Sequence, residues 1–432
     1  MRYTSYKSIS LTKELRLKIL LWAQQFETVA WYDSNHHKDE WSEYDALLAV
    51  EAEEMVACST SNALEVLTSF RKTRDWAFGF LSYDVKNEIE PLSSQNHDAL
   101  DFPKLSFFRP KRLLLFKGDM VEFQYLEGTD EWVSNDWNAI LATTIPKDFQ
   151  HPENTNPVSL KLRTSKEAYF EKFELLKARI QRGDLYEVNF CQEFYSEETP
   201  IDPLKTYWHL NELSKPPFAC FVKMQGKYIL SASPERFLKK KSDRLWSQPI
   251  KGTASRSTDT AEDQKLKKQL QSDPKERSEN IMIVDLVRND LARIATRDSV
   301  QVTHLCDIKS YAQVHQMVST IQCSLRPGIE IGDVLRATFP MGSMTGAPKI
   351  SAMQHIETVE DAKRGVYSGA IGYITPNDDF DFNVVIRTIL YDEASSYVSF
   401  SVGGALTIEA KAENEYLECL LKAKAMRQVL EV

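Results

Sequence analysis

KYILSASPERFLKKKSDRLWSQPI, residues 227–250, holds three strand-like runs at 227–232, 236–240 and 245–250, divided and bounded by Ser-Pro-Glu and Lys-Gly turns. Runs this short, with turns this close, pair antiparallel, because a parallel connection needs a crossover of about a dozen residues or more. Upstream, Thr164-x-x-Glu167 reads as a capping box, and Tyr169, Phe173, Leu176 and Ile180 recur at helical spacing before Gly183 stops the helix. Downstream, residues 273–294 turn helical, with Ile281, Val284 and Leu291 among the apolar positions. Three further strand-like runs follow between 364 and 405, and the C-terminal segment is helical again. Consecutive strands with flanking helices predict an α+β fold, a large composite body of antiparallel β-sheets rather than a βαβ array. The first 150 residues carry strand-like and helix-like pieces without a cluster of special chemistry. A polar, Pro-containing stretch at 146–157 sets the expected boundary between an N-terminal region, 1–150, and a second region, 158–432.

The chain has 432 residues, enough for two domains or one large composite body. Apolar residues at 42% and charged residues at 27% match a soluble globular protein and exclude a disordered or collagen-like one. A net charge of -9 without a Lys/Arg patch interleaved with aromatics argues against a nucleic-acid partner. The apolar run at 19–23 is too short for a membrane span or a signal core, so no membrane association and a cytoplasmic location are expected. Six cysteines without a C-x-x-C pair point to reduced, structural thiols.

Two helical segments each carry Glu-x-x-Glu: Glu276 with Glu279, and Glu415 with Glu418. Residues three apart share a helical face, so each segment can aim two carboxylates at one point, where a hard cation such as magnesium would be satisfied. Taken singly, each pair fits solvated surface charge better than a cation site, because charged residues are rarely buried. Seven of the fifteen glycines lie between Gly342 and Gly404, and Gly342, Gly346, Gly369, Gly403 and Gly404 sit where a close backbone approach or a turn is called for. Arg387 interrupts the apolar run 384–390 and requires an anion or a carboxylate partner. Lys251 stands between Pro249-Ile250 and Gly252, an apolar setting in which desolvation would lower its pKa and make it a nucleophile; a surface lysine at a strand end is the alternative. Glu235, in Ser-Pro-Glu-Arg, is either a turn carboxylate or a general acid.

In order along the chain, Gly183-Asp-Leu-Tyr-Glu-Val-Asn189, Ser233-Pro-Glu-Arg-Phe237, Pro249-Ile-Lys-Gly-Thr253, Glu279-Asn-Ile-Met-Ile-Val-Asp-Leu-Val-Arg-Asn-Asp290, Gly346-Ala-Pro-Lys349 and Arg364-Gly-Val-Tyr-Ser-Gly-Ala370 resemble the chorismate-utilising enzyme family. That family comprises anthranilate synthase component I, aminodeoxychorismate synthase component I and the isochorismate and salicylate synthases. The resemblance runs from about residue 160 to the C-terminus and is loose before it, and it implies the anthranilate synthase component I type of fold. It further implies magnesium on Glu279 and Glu418, with Glu276 and Glu415 supporting through water. Chorismate carboxylates would be held by Tyr367, Arg387, Lys422 and the Gly403-Gly404 backbone, with Ser343 offering a hydroxyl. Glu235 matches the acid that protonates the departing C4 hydroxyl.

Two positions separate the branches of the family. Isochorismate and salicylate synthases carry a lysine base where this chain has Glu187. Anthranilate synthases usually read Pro-Ile-Ala-Gly-Thr where this chain has Lys251, and the lysine resembles aminodeoxychorismate synthases, which aminate chorismate at C4 on the way to para-aminobenzoate and folate. The expectation is therefore a Mg-dependent synthase in which Lys251 adds to C2, Glu235 assists loss of the hydroxyl, and ammonia displaces the lysine from C4. No Gly-x-Cys-x-Gly elbow occurs in the sequence, so a separate glutamine amidotransferase subunit is expected to supply the ammonia. Two positions depart from the pattern: the aminating enzymes usually have glutamine at 187, and often histidine where this chain has Gln316 after His315. An anthranilate synthase component I and a catalytically idle scaffold subunit are the alternatives.

Overall fold

The helix expected after residue 164 forms over Lys166–Arg182 in the computed structural model, which describes residues 1–129, 131–149, 157–311 and 314–431. Tyr169, Phe173, Leu176 and Ile180 are its buried face, and Gly183 closes it with φ +86°. The cap lies one residue later than the sequence pattern suggested. Ser165 accepts the Ala168 N–H, while Thr164 Oγ1 donates to Asp361 Oδ2 at 2.7 Å. Either hydroxyl can cap a helix, and the tertiary partner at Asp361 decides between them.

Twenty strands join in one sheet among the described residues, and the ladders between strands run antiparallel. The expected strands form at Lys227–Ser233, Arg236–Lys241, Arg244–Gln248 and Ile250–Ser255. The Ser-Pro-Glu turn, however, does not fold its two flanking strands onto each other. Lys227–Ser233 pairs with Phe218–Met224 and Thr388–Asp392, whereas Arg236–Lys241 pairs with Arg244–Gln248 and Phe380–Val384. Four strands occupy the segment read as three, because the 384–390 run breaks at residues 385–387 between Phe380–Val384 and Thr388–Asp392. Strands from the first 150 residues enter the same sheet: Val29–Asp33 pairs with Phe218–Met224, and Ala77–Leu81 with Ala370–Ile374. Much of the boundary stretch 146–157 lies outside the described residues.

Pro274–Ala292 is the helix expected at 273–294. Asp273 caps it, its carboxylate accepting the Lys275 and Glu276 N–H groups. Ile283, Val284, Val287 and Leu291 face the core, but Ile281 is 38% exposed and does not belong to the apolar stripe. The helix Ala412–Glu431 ends the described chain and packs on the strand Tyr397–Leu406. All six cysteines are free and buried, and no helix among the described residues is long and apolar enough to cross a membrane.

One buried ion pair ties the central strands to the loops beside them. Arg364 donates to both oxygens of Glu360 at 2.9 and 2.7 Å, to the Met344 carbonyl at 2.6 Å and to the Asn189 carbonyl at 2.8 Å. Glu360 in turn accepts the Cys191 N–H at 2.9 Å. Removing one partner of such a pair strands a buried charge, which typically costs about 3–5 kcal/mol, a large share of a domain's stability. Arg364→Met is expected to lower the urea unfolding free energy by about that amount, and Arg364→Met with Glu360→Met to recover part of it. Equal destabilisation by the single and double variants would show that the charge pair is not what binds these elements.

Candidate functional site

Lys251 lies on the strand Ile250–Ser255, and its Nζ donates to Glu187 Oε1 at 2.8 Å. Glu187 opens the strand Glu187–Ser196, where Ala347 faces it in the short ladder with Gly346–Ala347. Its side chain is 1% exposed, and its Oε2 has no hydrogen-bond partner. Asn280 holds the other side of the pair, its Nδ2 donating to the Lys251 carbonyl at 3.2 Å and to the Met317 carbonyl at 3.3 Å. Burial alone would lower the Lys251 pKa, as its apolar flanks suggested, but Glu187, Glu279 and Glu418 outweigh it and the net shift is upward. The lysine is thus stored as an ammonium, a correction to the expected depressed pKa.

Glu235 sits at the end of the Ser-Pro-Glu turn. Ser233 Oγ accepts the Glu235 N–H at 3.3 Å and donates to the Val384 carbonyl at 2.6 Å, which holds the turn against the sheet. Ser343 Oγ donates to Glu235 Oε1 at 2.7 Å. Burial pushes the Glu235 carboxyl up to about 7, against the opposing pull of Ser343, the Ile250 backbone, Lys251 and Lys422. A carboxyl balanced there can give up or accept a proton near neutrality.

The two Glu-x-x-Glu pairs do converge. Lys275 Nζ lies 3.7 Å from Glu279 Oε1 and 3.8 Å from Glu415 Oε1, so an ammonium bridges the two helices. Burial raises Glu276 and Glu279, and burial together with Glu418 pushes Glu415 up to about 7. Burial would raise Glu418 too, but Lys422 at 2.7 Å, with Lys251 and Lys275, brings it below the usual carboxylate range. Glu279 Oε1 is buried without a hydrogen-bond partner. The backbone runs close beside these groups: a Cβ on Gly404 would lie 3.1 Å from Glu415 Oε2, and one on Gly252, whose φ of +101° favours glycine, would lie 3.0 Å from Glu276 Oε2. Among the described residues no three His, Cys, Asp or Glu side chains are drawn together to hold a metal by themselves. The orphaned carboxylate oxygen and the bridging ammonium nonetheless fit a hard cation that takes one or two protein carboxylates and completes its shell with water or substrate oxygens.

Arg387 has φ +52°, and among the described residues its guanidinium has no ion-pair or hydrogen-bond partner. It is not a structural ion pair. Burial lowers its pKa, while Tyr367 and Glu418 nearby favour its charge. Tyr367 is buried, with its hydroxyl 3.5 Å from Cys191 Sγ. Lys422 Nζ donates to the Gly403 carbonyl at 2.8 Å as well as to Glu418. Gly403 itself is demanded by strand pairing, since a Cβ there would lie 2.4 Å from Cys191 Sγ, so only Gly404 faces the carboxylates. His315 does not take the place of Gln316. Its ring nitrogens are engaged with Ser310 Oγ at 2.8 Å and Asp263 Oδ1 at 3.0 Å, while Gln316 Oε1 is buried without a partner. Asn280 and Lys275 escaped the sequence reading, although each lies within one residue of a singled-out glutamate; no local pattern marks a side chain whose partners come from other elements.

A family described as chorismate binding enzyme matches residues 9–428 of the chain. The chloroplastic aminodeoxychorismate synthase of Arabidopsis thaliana is 40% identical over 365 residues, which cover 80% of this chain and 39% of that protein. Aminodeoxychorismate synthase component 1 of Escherichia coli K12 is 36% identical over 356 residues, covering 82% of this chain and 77% of that one. The chain therefore spans less than half of the plant relative. Among solved structures, anthranilate synthase component I from Streptococcus pneumoniae superposes with a TM-score of 0.78 at 27% identity, covering 91% of this chain and 94% of that one.

Lys275 is 45% exposed, so its hold on the two helices is modest, and an ion pair of that kind is worth about 1 kcal/mol or less. Lys275→Met is expected to tighten divalent-cation binding by up to about fivefold, read by manganese titration with electron paramagnetic resonance. Unchanged affinity would mean that the ammonium does not compete for the space between the helices.

Proposed function

This chain belongs to the chorismate-binding enzyme family, and on that premise we propose that it is the synthase component that aminates chorismate at C4, giving 4-amino-4-deoxychorismate with ammonia from a separate glutamine amidotransferase. The observation that carries the reading is Lys251 itself, 13% exposed on the strand Ile250–Ser255 and paired with the buried carboxylate of Glu187. Relatives that cover about four fifths of the chain include aminodeoxychorismate synthases from Arabidopsis thaliana and Escherichia coli, and the latter is named as a component, which supports a partner subunit.

In the proposed reaction Glu279 and Glu418 would hold magnesium, with Glu276 and Glu415 behind them. When bound, the ion would neutralise and orient the ring carboxylate. Arg387, free of any described counter-ion, and Lys422 supply the remaining positive charge for a dicarboxylate, with Tyr367 and the Gly404 backbone alongside. Ser343 aims Glu235, whose carboxyl is half protonated near neutral pH and delivers its proton to the departing C4 hydroxyl. Lys251, once neutral, adds at C2; ammonia then adds at C4 and expels it. Dividing one substitution into two in this way is covalent catalysis.

The test is product analysis from chorismate, ammonia and magnesium. The wild-type chain is expected to make the 4-amino product with ammonia and to use glutamine only when a glutaminase is added. Lys251→Ala is expected to retain chorismate binding and lose at least about a hundredfold of 4-amino formation, with any residual amination moving to C2. Wild-type rates of 4-amino formation in that variant would remove Lys251 from the mechanism, and a 2-amino product from the wild type would make the chain an anthranilate-type synthase.

The acid form of Glu235 is the form the reaction uses. Its pKa is raised, so it is protonated below about 7 and ionised above it. At constant free ammonia, kcat/KM is expected to fall as pH rises through about 7, and Glu235→Gln to abolish that limb together with most of the activity. A profile flat from about pH 6 to about pH 8 would exclude Glu235 as the proton donor.

A further inference from the structure

An ammonium has no lone pair, so Lys251 as stored cannot attack carbon. Its proton must go somewhere. The charged groups facing Lys251 are Glu187 on the strand Glu187–Ser196, Glu235 beyond the Ser-Pro turn, Glu276 and Glu279 on the helix Pro274–Ala292, and Glu418 on the helix Ala412–Glu431. Of these, only Glu187 lies within hydrogen-bond distance of Nζ. Both ends of that contact are held by backbone: Tyr186 N–H donates to the Ala347 carbonyl at 2.7 Å, Asn189 N–H to the Thr345 carbonyl at 2.8 Å, and Asn280 holds the Lys251 carbonyl. Glu187 Oε2, buried and without a partner, leaves the carboxylate a second site for a proton.

Resting on the reading of Lys251 as the nucleophile, we infer that Glu187 takes the ammonium proton of Lys251 before the amine attacks and returns it after the amine is expelled. Glu187 then acts through Lys251 and is a positioning residue for it. The transfer turns an ion pair between a 1% exposed carboxylate and a 13% exposed ammonium into a neutral pair, with Glu187 Oε2 placed to hold the proton. A glutamine in its place could accept a hydrogen bond from Lys251 but could not hold the proton.

The steps balance. Lys251 ammonium and Glu187 carboxylate become amine and carboxylic acid. The amine forms a bond to C2, the ring double bond shifts, and the C4–O bond breaks as Glu235 gives its proton to the leaving hydroxyl, releasing water. Ammonia then bonds to C4, the double bond shifts back, and the C2–N bond breaks to free neutral Lys251. The new C4 ammonium passes one proton to Glu235 carboxylate, and Glu187 returns its proton to Lys251. The sum is chorismate plus ammonia giving aminochorismate plus water.

The experiment follows adduct formation on Lys251 in single turnovers, with chorismate and magnesium but no ammonia, by rapid quench and peptide mass spectrometry. It is run from about pH 5 to about pH 6, where Glu235 is mostly in its acid form. Wild-type rates are expected to change less than about twofold, because the proton moves within the pair, while Glu187→Gln rates rise about tenfold per pH unit, because the proton is lost to solvent. Glu187→Asp, which keeps a carboxylate, is expected to give a slower but flat profile. It also decides the case if Glu187→Gln does not fold, since a rate that rises about tenfold per pH unit in Glu187→Asp, as if no carboxylate took the proton, would overturn the inference. A Glu187→Gln profile as flat and as fast as wild type, with adduct present in both, overturns the role of Glu187 and leaves Lys251 as nucleophile standing. No adduct on Lys251 in the wild type overturns the nucleophile reading, and this inference with it.

Discussion

The guanidinium of Arg364 is the point from which the site is built. Buried under Tyr83 and saturated by Glu360 and the carbonyls of Met344 and Asn189, it locks the turn carrying Ser343 to the strand carrying Glu187. A planar fork of donors suits this task because its bonds leave in fixed directions, so satisfying all of them specifies the relative position of three backbone segments. From that frame Ser343 reaches Glu235 and Glu187 reaches Lys251. The chemistry therefore rests on strands and a buried turn rather than on mobile surface loops, which gives it the rigidity that an oriented reaction requires.

The charges around the site are nearly balanced but unevenly satisfied. Glu187, Glu235, Glu276, Glu279, Glu415 and Glu418 bring six carboxyls into one region, against Lys251, Lys275, Lys422 and Arg387. Burial raises Glu235 and Glu415 to about 7, which lightens the negative charge without a metal. Among the described residues, the guanidinium of Arg387 without an ion pair, Glu187 Oε2 without a hydrogen bond and Glu279 Oε1, met only by Lys275 at 3.7 Å, are the remaining imbalance. Buried polar groups seldom remain unpaired without a purpose, and a dianionic substrate with a divalent cation would satisfy the arginine and the carboxylate together.

Local periodicity made much of the fold legible. The buried face of Lys166–Arg182, its glycine stop, the strand runs at 227–250 and the helices Pro274–Ala292 and Ala412–Glu431 follow from spacing and turn residues, whereas the helix Thr260–Ser272 and the strands Gln301–Ser310 and Val314–Ser324 carry no pattern that the reading used. Where the reading slipped, a tertiary contact decided. Thr164 forfeits its cap to bond Asp361, Ile281 turns to the surface although it lies in an apolar run, and the 384–390 strand breaks at Arg387. Pairing choice was also hidden: either side of Ser-Pro-Glu is a strand by composition, yet each side chooses partners more than a hundred residues away.

The sequence by itself determined which residue types are available and on which element each lies: two Glu-x-x-Glu helices, a lysine after Pro-Ile, a glutamate after Ser-Pro, and a family resemblance that named their chemistry. Only the tertiary structure decided their states. Lys251 is raised rather than lowered in pKa because carboxylates from three different elements surround it, whereas Arg387 has no ion pair among the described residues because the nearby Glu418 bonds Lys422 instead. Electrostatic state depends on distances between groups far apart in the chain, and those distances are set by packing, which no local pattern encodes.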